Sequence, residues 1–185
     1  MPKDENFTTQ ISERKTVFEG MIWGVVSETF QFAGQTLTRE FVDHPGAVAV
    51  LALNAQNQIL MIRQYRQPVK QFLWEIPAGL LDIDGESLVS AAARELQEET
   101  GYRAATIDHL IDFFTTPGGN NEMIRIYLAR NLEFVGRPDE QEGEERELQV
   151  EWIDFEEALS SVLASQIKSP SATVGILAAA QILKR

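Results

Sequence analysis

GLLDIDGESLVSAAARELQEETGY, residues 79–102, is the stretch from which the rest of the chain can be organised. Ser87 to Thr100 is rich in Ala, Leu and Glu, carries no internal Gly or Pro, and stops at Gly101, a favoured residue just past a helix end. The composition predicts a helix. At 100° per residue Val89, Ala92, Ala93 and Leu96 share an apolar stripe, and Glu95, Glu98 and Glu99 share a neighbouring one. Like charges at this spacing repel by only about 0.2–0.5 kcal/mol per exposed pair, so a solvated acidic face is one reading. The acids lie near the helix C-terminus, however, where the macrodipole favours cations. Gly79 and Gly85 in the preceding loop would let backbone oxygens approach them. Hard oxygen donors without His or Cys suit Mg²⁺ or Mn²⁺, and a divalent ion would turn the repulsion into attraction.

Around this helix the pattern is mostly strand-like. Residues 1–15 are polar and expected to be loose. Residues 16–41, broken by Gly20, Gly24 and Gly34, predict two or three antiparallel strands. After the turn at Asp43-His44-Pro45-Gly46, residues 47–53 and 59–65 predict a buried hairpin, and residues 72–76 a further strand. Strands follow at 107–115 and 123–129, about a Pro117-Gly118-Gly119 turn, and at 147–153. Closing helices are expected over 155–165 and 173–183, divided by Ser169-Pro170. Strands, one helix, more strands and terminal helices imply an α+β domain layered as α/β/α, with an N-terminal antiparallel strand extension.

A chain of 185 residues suits one domain with a small appended element. It has 16 Lys+Arg against 28 Asp+Glu, a formal net charge of −12, which weighs against nucleic-acid and membrane partners. Cysteine is absent, so disulfides, thiolate zinc sites and cysteine nucleophiles are excluded, and two histidines are too few for a multi-histidine centre. No apolar run is long enough to span a bilayer, and the opening MPKDENFTTQ is too polar for a signal peptide. The expected location is cytoplasmic.

Gly79, Glu86 and the run Arg94-Glu95-Leu96-Gln97-Glu98-Glu99-Thr100-Gly101-Tyr102 resemble the Nudix box. That family's pattern is G, five residues, E, seven residues, then R-E-U-x-E-E-x-G-U, with U a bulky apolar residue. This chain has one extra residue between Gly79 and Glu86, and Tyr102 at the last apolar place. The insertion falls in a loop, where added length costs little. The resemblance implies the α/β/α sandwich of Nudix hydrolases. It implies Glu95 and Glu99 as principal metal ligands, Glu98 assisting there and in catalysis, and the Ala78 carbonyl completing the site. Arg94 and Glu86 would form a structural ion pair.

Further features resemble the ADP-ribose pyrophosphatase branch: Arg63-Gln64-Tyr65-Arg66, Trp74-Glu75-Ile76-Pro77-Ala78-Gly79, Arg39-Glu40, and Pro117 fifteen residues beyond Tyr102 within the loop 116–122. The similarity runs over about residues 39–184, and the first 38 residues match only in strand-like character. It implies Mg²⁺-dependent (or Mn²⁺-dependent) hydrolysis of ADP-ribose to AMP and ribose 5-phosphate, a nucleoside diphosphate being the small-molecule partner. Residues 1–40 would be a dimerisation extension and 41–185 the hydrolase domain, with strands exchanged in a homodimer. A loop glutamate, Glu144 first and Glu145 second, would activate water. Arg63 and Arg66 would meet phosphate, and Arg39 the adenine or an adjacent phosphate. Gly118 belongs to the substrate loop, and Glu122 would hold a ribose hydroxyl or cap a turn. Core positions are expected for Trp23 and Phe18, the alternative being stacking on adenine from the partner subunit. The rival readings are a Nudix enzyme for a nucleotide sugar, flavin dinucleotide or dinucleoside polyphosphate, and a non-catalytic ADP-ribose sensor. The intact box, the acidic surface and the short tail after the last helix weigh against the sensor.

Overall fold

In the computed structural model, which describes residues 1–138 and 148–183, Ile11–Glu19 (β1), Gly24–Phe32 (β2) and Gln35–Asp43 (β3) form an antiparallel sheet in that order. β1 begins inside the stretch expected to be loose. It carries Glu13, Arg14 and Lys15 in succession, and cross-strand pairing with β2 overrides its polar composition. Phe32 pairs with Gln35 across Ala33 and Gly34, both at positive φ, as a two-residue hairpin turn requires. Residues 1–45 and 114–122 make one compact unit. Within it the Val42 N–H donates to the Gly119 carbonyl at 3.0 Å.

The second unit comprises residues 46–113 and the chain from Met123 onward. One of its sheets contains Ala47–Ala52 (β4), Ala78–Leu80 (β7), Tyr102–Phe114 (β8) and Met123–Phe134 (β9), in the order β7-β4-β9-β8. The other contains Gln58–Arg66 (β5), Gln71–Glu75 (β6) and Gln149–Asp154 (β10), in the order β10-β5-β6. The expected hairpin of 47–53 with 59–65 is therefore corrected. Its two strands enter different sheets and meet only at a bridge from Leu53 to Ile59, while β4 pairs in parallel with β9. Adjacency in sequence did not decide pairing because β4 is apolar on both faces and needs cover on each.

Every residue of β4 is buried. Ala47, Ala49 and Leu51 join a core with Phe155, Ala172 and Ile176, whereas Val48, Val50 and Ala52 join a second core with Leu60, Ala92 and Leu96. The first core is closed by helices Phe155–Leu163 (α2) and Pro170–Leu183 (α3), and the second by Leu88–Thr100 (α1). This is the α/β/α layering expected from the sequence. Pro170 opens α3 rather than dividing it from what precedes, since a proline fits the first helical turn, where its missing N–H is not needed. Among the described residues no helix is long and apolar enough to cross a membrane.

Candidate active site

α1 starts where Ser87 accepts a hydrogen bond from the Ser90 N–H at 3.1 Å. It ends at Gly101, held at φ 79°, whose N–H donates to the Gln97 carbonyl. A side chain at Gly101 would also collide with the Phe134 ring. The buried face is Ala91, Ala92, Leu96, Glu99 and Thr100, while Val89 is exposed. The apolar stripe is thus turned from the expected one. It brings Glu99 inward because the neighbouring strand offers that carboxylate a backbone donor.

That donor is Ala78 on β7, whose N–H donates to Glu99 Oε2 at 2.9 Å. The next residue, Gly79, lies so close to the Glu95 carboxylate that any Cβ would overlap it. Two acids one helical turn apart are therefore held against successive residues of one strand, and the absence of a side chain at 79 makes the approach possible. Glu98 is the outermost of the three acids, with its side chain 45% exposed.

Arg94 organises the remaining faces. Its Nε and Nη2 donate to the two oxygens of Glu86 at 3.1 and 3.0 Å, and its Nη1 donates to Glu95 at 2.5 Å and to Glu98 at 3.0 Å. The hydrogen bonding of Arg94 to Glu86 is the largest cause pushing the Arg94 guanidinium further above its usual pKa, and reciprocally Arg94 holds the Glu86 carboxyl below the usual range. Arg137 Nε reaches the Glu98 carbonyl at 3.4 Å, placing a cation at the helix C-terminus as the macrodipole favours. Four carboxylates still gather about Arg94 and Ala78.

The donor set fits a hard divalent cation: carboxylate oxygens from one helical turn, a backbone cradle that a Cβ would fill, and no soft ligand. Among the described residues no three carboxylates converge on a single ion position. Arg94 Nη1 bridges Glu95 and Glu98, and Glu99 points to the Ala78 N–H.

The other expected site residues fall in both units. In the first, Arg39 on β3 donates to the Thr38 carbonyl at 2.8 Å. Gly118 lies in a turn closed by the Gly119 N–H on the Thr116 carbonyl at 2.8 Å. Glu122 accepts from the Thr115 hydroxyl at 2.6 Å and stands 3.5 Å from His44 Nε2. Trp23 and Phe18 are 44% and 57% exposed, which corrects the core positions expected for them. Few side chains of this unit are buried at all, so its sheet offers no interior for two large rings. In the second unit, Arg63 on β5 donates to Gln149 Oε1 at 3.2 Å and lies 4.8 Å from the Phe72 ring centre. Arg66 makes a two-pronged pair with Glu75 at 3.0 and 2.7 Å. Glu144 and Glu145 lie outside the described residues.

The NUDIX domain family matches residues 43–173. The chain belongs to the Nudix family. It is 41% identical to an ADP-ribose pyrophosphatase of Mycobacterium tuberculosis over 176 residues, covering 95% of this chain and 84% of that one. It is 35% identical to an ADP-ribose pyrophosphatase of Bacillus subtilis over 155 residues, 83% of each chain. A solved structure described as an ADP compounds hydrolase superposes with a TM-score of 0.75 at 22% identity, over 98% of this chain and 97% of that one, which shows the Nudix fold. The Nudix match contains α1, β7, Arg94 with Glu86, Glu95 and Glu98, and Glu99, and starts at the end of β3. Nudix chemistry of this kind runs with a divalent cation.

Two residues of this Nudix chain escaped the sequence reading. Glu75 is buried and holds both Arg66 and Gln64. A lone acid in the apolar run Phe72–Ile76 was the available signal. His44 stands in the Asp43–Gly46 turn and in the stretch His44-Pro45-Gly46-Ala47-Val48 that resembles the branch, with no role of its own in that reading, yet it faces Glu122, and its backbone N–H donates to Asn121 Oδ1 at 2.8 Å. Nothing in local spacing foretells a pairing across so long a stretch of chain.

Proposed function

We propose that this Nudix chain hydrolyses the diphosphate of ADP-ribose, with Mg²⁺ as the ion and Mn²⁺ as its substitute. Water adds to one phosphorus, the bridging P–O bond breaks, and AMP and ribose 5-phosphate leave. The observation that carries the reading is the placement of Glu95 and Glu99 against the Ala78–Gly79 backbone, with Glu98 alongside.

Glu95, Glu98 and Glu99, with the Ala78 carbonyl, are the residues assigned to hold the metal. Bound there, Mg²⁺ supplies charge neutralisation for the diphosphate and acidifies water. Without a cation these acids repel the substrate, each close like-charge contact costing about 4 kcal/mol at 4 Å and an effective dielectric of 20. Arg94 fixes Glu95 and Glu98 through one nitrogen and ties the helix to Glu86, so the acids are oriented before any ligand arrives. Arg63, Arg66 and Arg39 are assigned to the substrate's phosphates and adenine, because a guanidinium fork matches phosphate oxygens. Gly118 and Glu122 are assigned to the ribose. A glutamate of the acidic stretch, Glu144 or else Glu145, takes the proton of the attacking water, worth about 10²–10⁴-fold.

We assign residues 1–40 to a homodimer made by exchanged strands, which would cover the exposed Val17, Phe18, Ile22 and Trp23, and residues 41–185 to the hydrolase proper, in the cytoplasm. The test is incubation of the purified chain and Mg²⁺ with ADP-ribose beside a nucleotide sugar, a flavin dinucleotide and a dinucleoside polyphosphate, with AMP release followed by chromatography. ADP-ribose should be turned over fastest, and Glu99→Gln should abolish the reaction. ADP-ribose among the poorest substrates would overturn the substrate, and tight binding without AMP release would make the chain a sensor.

A further inference from the structure

We propose a second small-molecule site, in the pocket formed beside the β4–β5 turn, that takes a mononucleotide. The pocket has a volume of about 450 Å³ and is lined by Leu53, Gln56, Tyr102, Arg130, Asn131 and Trp152 among others. That volume falls within the range of ligand pockets, about 300–1,000 Å³, and holds a nucleoside monophosphate.

Three features give its chemistry. The first is aromatic surface: Tyr102 and Trp152 meet edge to face with ring centres 5.4 Å apart, and the Trp152 indole N–H donates to Tyr102 Oη at 3.1 Å. The indole's polar atom is thereby satisfied inside the pair, and both residues line the pocket, where an aromatic side chain offers a base a stacking partner. The second is charge. Arg130 is exposed and makes no ion pair among the described residues, although the chain carries a formal net charge of −12. A guanidinium lining this pocket with no ion pair among the described residues suits an external anion, and phosphate matches its fork. The third is backbone irregularity. Ala129 is the last residue of β9 paired with β4, and two residues later Asn131, which lines the pocket, stands at φ 55° within the strand. Such irregularities in strands are common next to binding sites.

The site adjoins the acid helix without using its acids. Tyr102 directly follows Gly101, the end of α1, and its ring packs 5.2 Å from that of Phe134, which fills the space a side chain at Gly101 would need. A bound mononucleotide would touch Tyr102, the residue after the glycine that ends the helix bearing Glu95, Glu98 and Glu99.

AMP is the probe, a choice that rests on the proposed reaction, and binding is measured without turnover so that the two ideas fail separately. The full chain in EDTA is titrated with AMP while the indole N–H resonance of Trp152, identified by its loss in Trp152→Phe, is followed by NMR. AMP should shift that resonance saturably. Arg130→Glu, a surface change with little cost to folding, should weaken the response at least tenfold, and Arg130→Lys by less. Adenosine or inorganic phosphate alone should each bind at least tenfold more weakly than AMP. The proposal is overturned if AMP leaves the Trp152 resonance in place, if Arg130→Glu binds as well as the parent, or if phosphate alone binds as tightly as AMP.

Discussion

Two charged clusters in the second unit differ in their balance. On β8 and β9 one carboxylate, Asp112, is shared by Arg125 at 2.8 and 2.6 Å and by His109 at 2.9 Å. Its hydrogen bonds from Arg125 are the main reason its pKa falls to about 2. On α1 the balance among the described residues is acidic, with the Arg94 guanidinium shared by Glu86, Glu95 and Glu98, a fourth acid, Glu99, buried beside them, and Arg137 at the Glu98 carbonyl. A cluster that neutralises itself needs nothing further and serves the fold. A cluster with surplus negative charge, pressed against a backbone from which a side chain has been omitted, costs stability unless a cation arrives. The contrast separates a structural ion pair from a binding site.

Substitution should break the contrast most sharply at Glu99. Glu99→Gln is expected to lower metal-dependent turnover by at least about 10²-fold, measured as AMP release. Its melting temperature without metal should be unchanged or higher, because one repelling charge is gone. Asp112→Asn should leave turnover within about twofold, since nothing in its cluster is in charge deficit. Next in size is Arg94→Ala. Removing the guanidinium takes away the cation that Glu86, Glu95 and Glu98 share, and about 1–3 kcal/mol of stability should be lost in urea denaturation. Added Mg²⁺ should restore part of that in Arg94→Ala and none in the Arg94→Ala/Glu99→Gln double variant.

The smallest effects are those of pH. Asp112 has a folded pKa near 2 against the usual 3.8, so its stabilisation is fully present above pH 4 and lost as pH falls toward 2. Solvent screening limits that loss to about 1 kcal/mol. Glu86 is lowered in the same direction by Arg94, so its contribution too fades on acidification. Stability curves of Asp112→Asn and the parent should converge at the acid end. Persistence of their difference at pH 2 would show that packing, not charge, accounts for it.

The helix and its acids were legible because the signals are local: Ser87 before it, Gly101 after it, and Ala, Leu and Glu between. Its phase was read less well. Val89 is exposed and Ala91 buried, because the Ala78 N–H draws Glu99 inward and an apolar-stripe count gives no weight to a satisfied acid. Sheet partnership was the least legible feature. β4 and β5 are close in sequence and apolar, yet β4 pairs with β7 and in parallel with the distant β9, while β5 joins the other sheet. The Glu75–Arg66 pair and the His44–Glu122 contact depend on strand pairing and chain return, which residue order alone does not specify.

Surplus charge on α1 is the central claim, and calorimetric titration of the metal-free chain with Mg²⁺ and Mn²⁺, joined to anomalous scattering from Mn²⁺-soaked crystals, tests it most directly. The account predicts saturable binding, with the anomalous peak beside Glu95, Glu98 and Glu99 and binding lost in Glu99→Gln. Absence of any ion there, with ADP-ribose present, would contradict it.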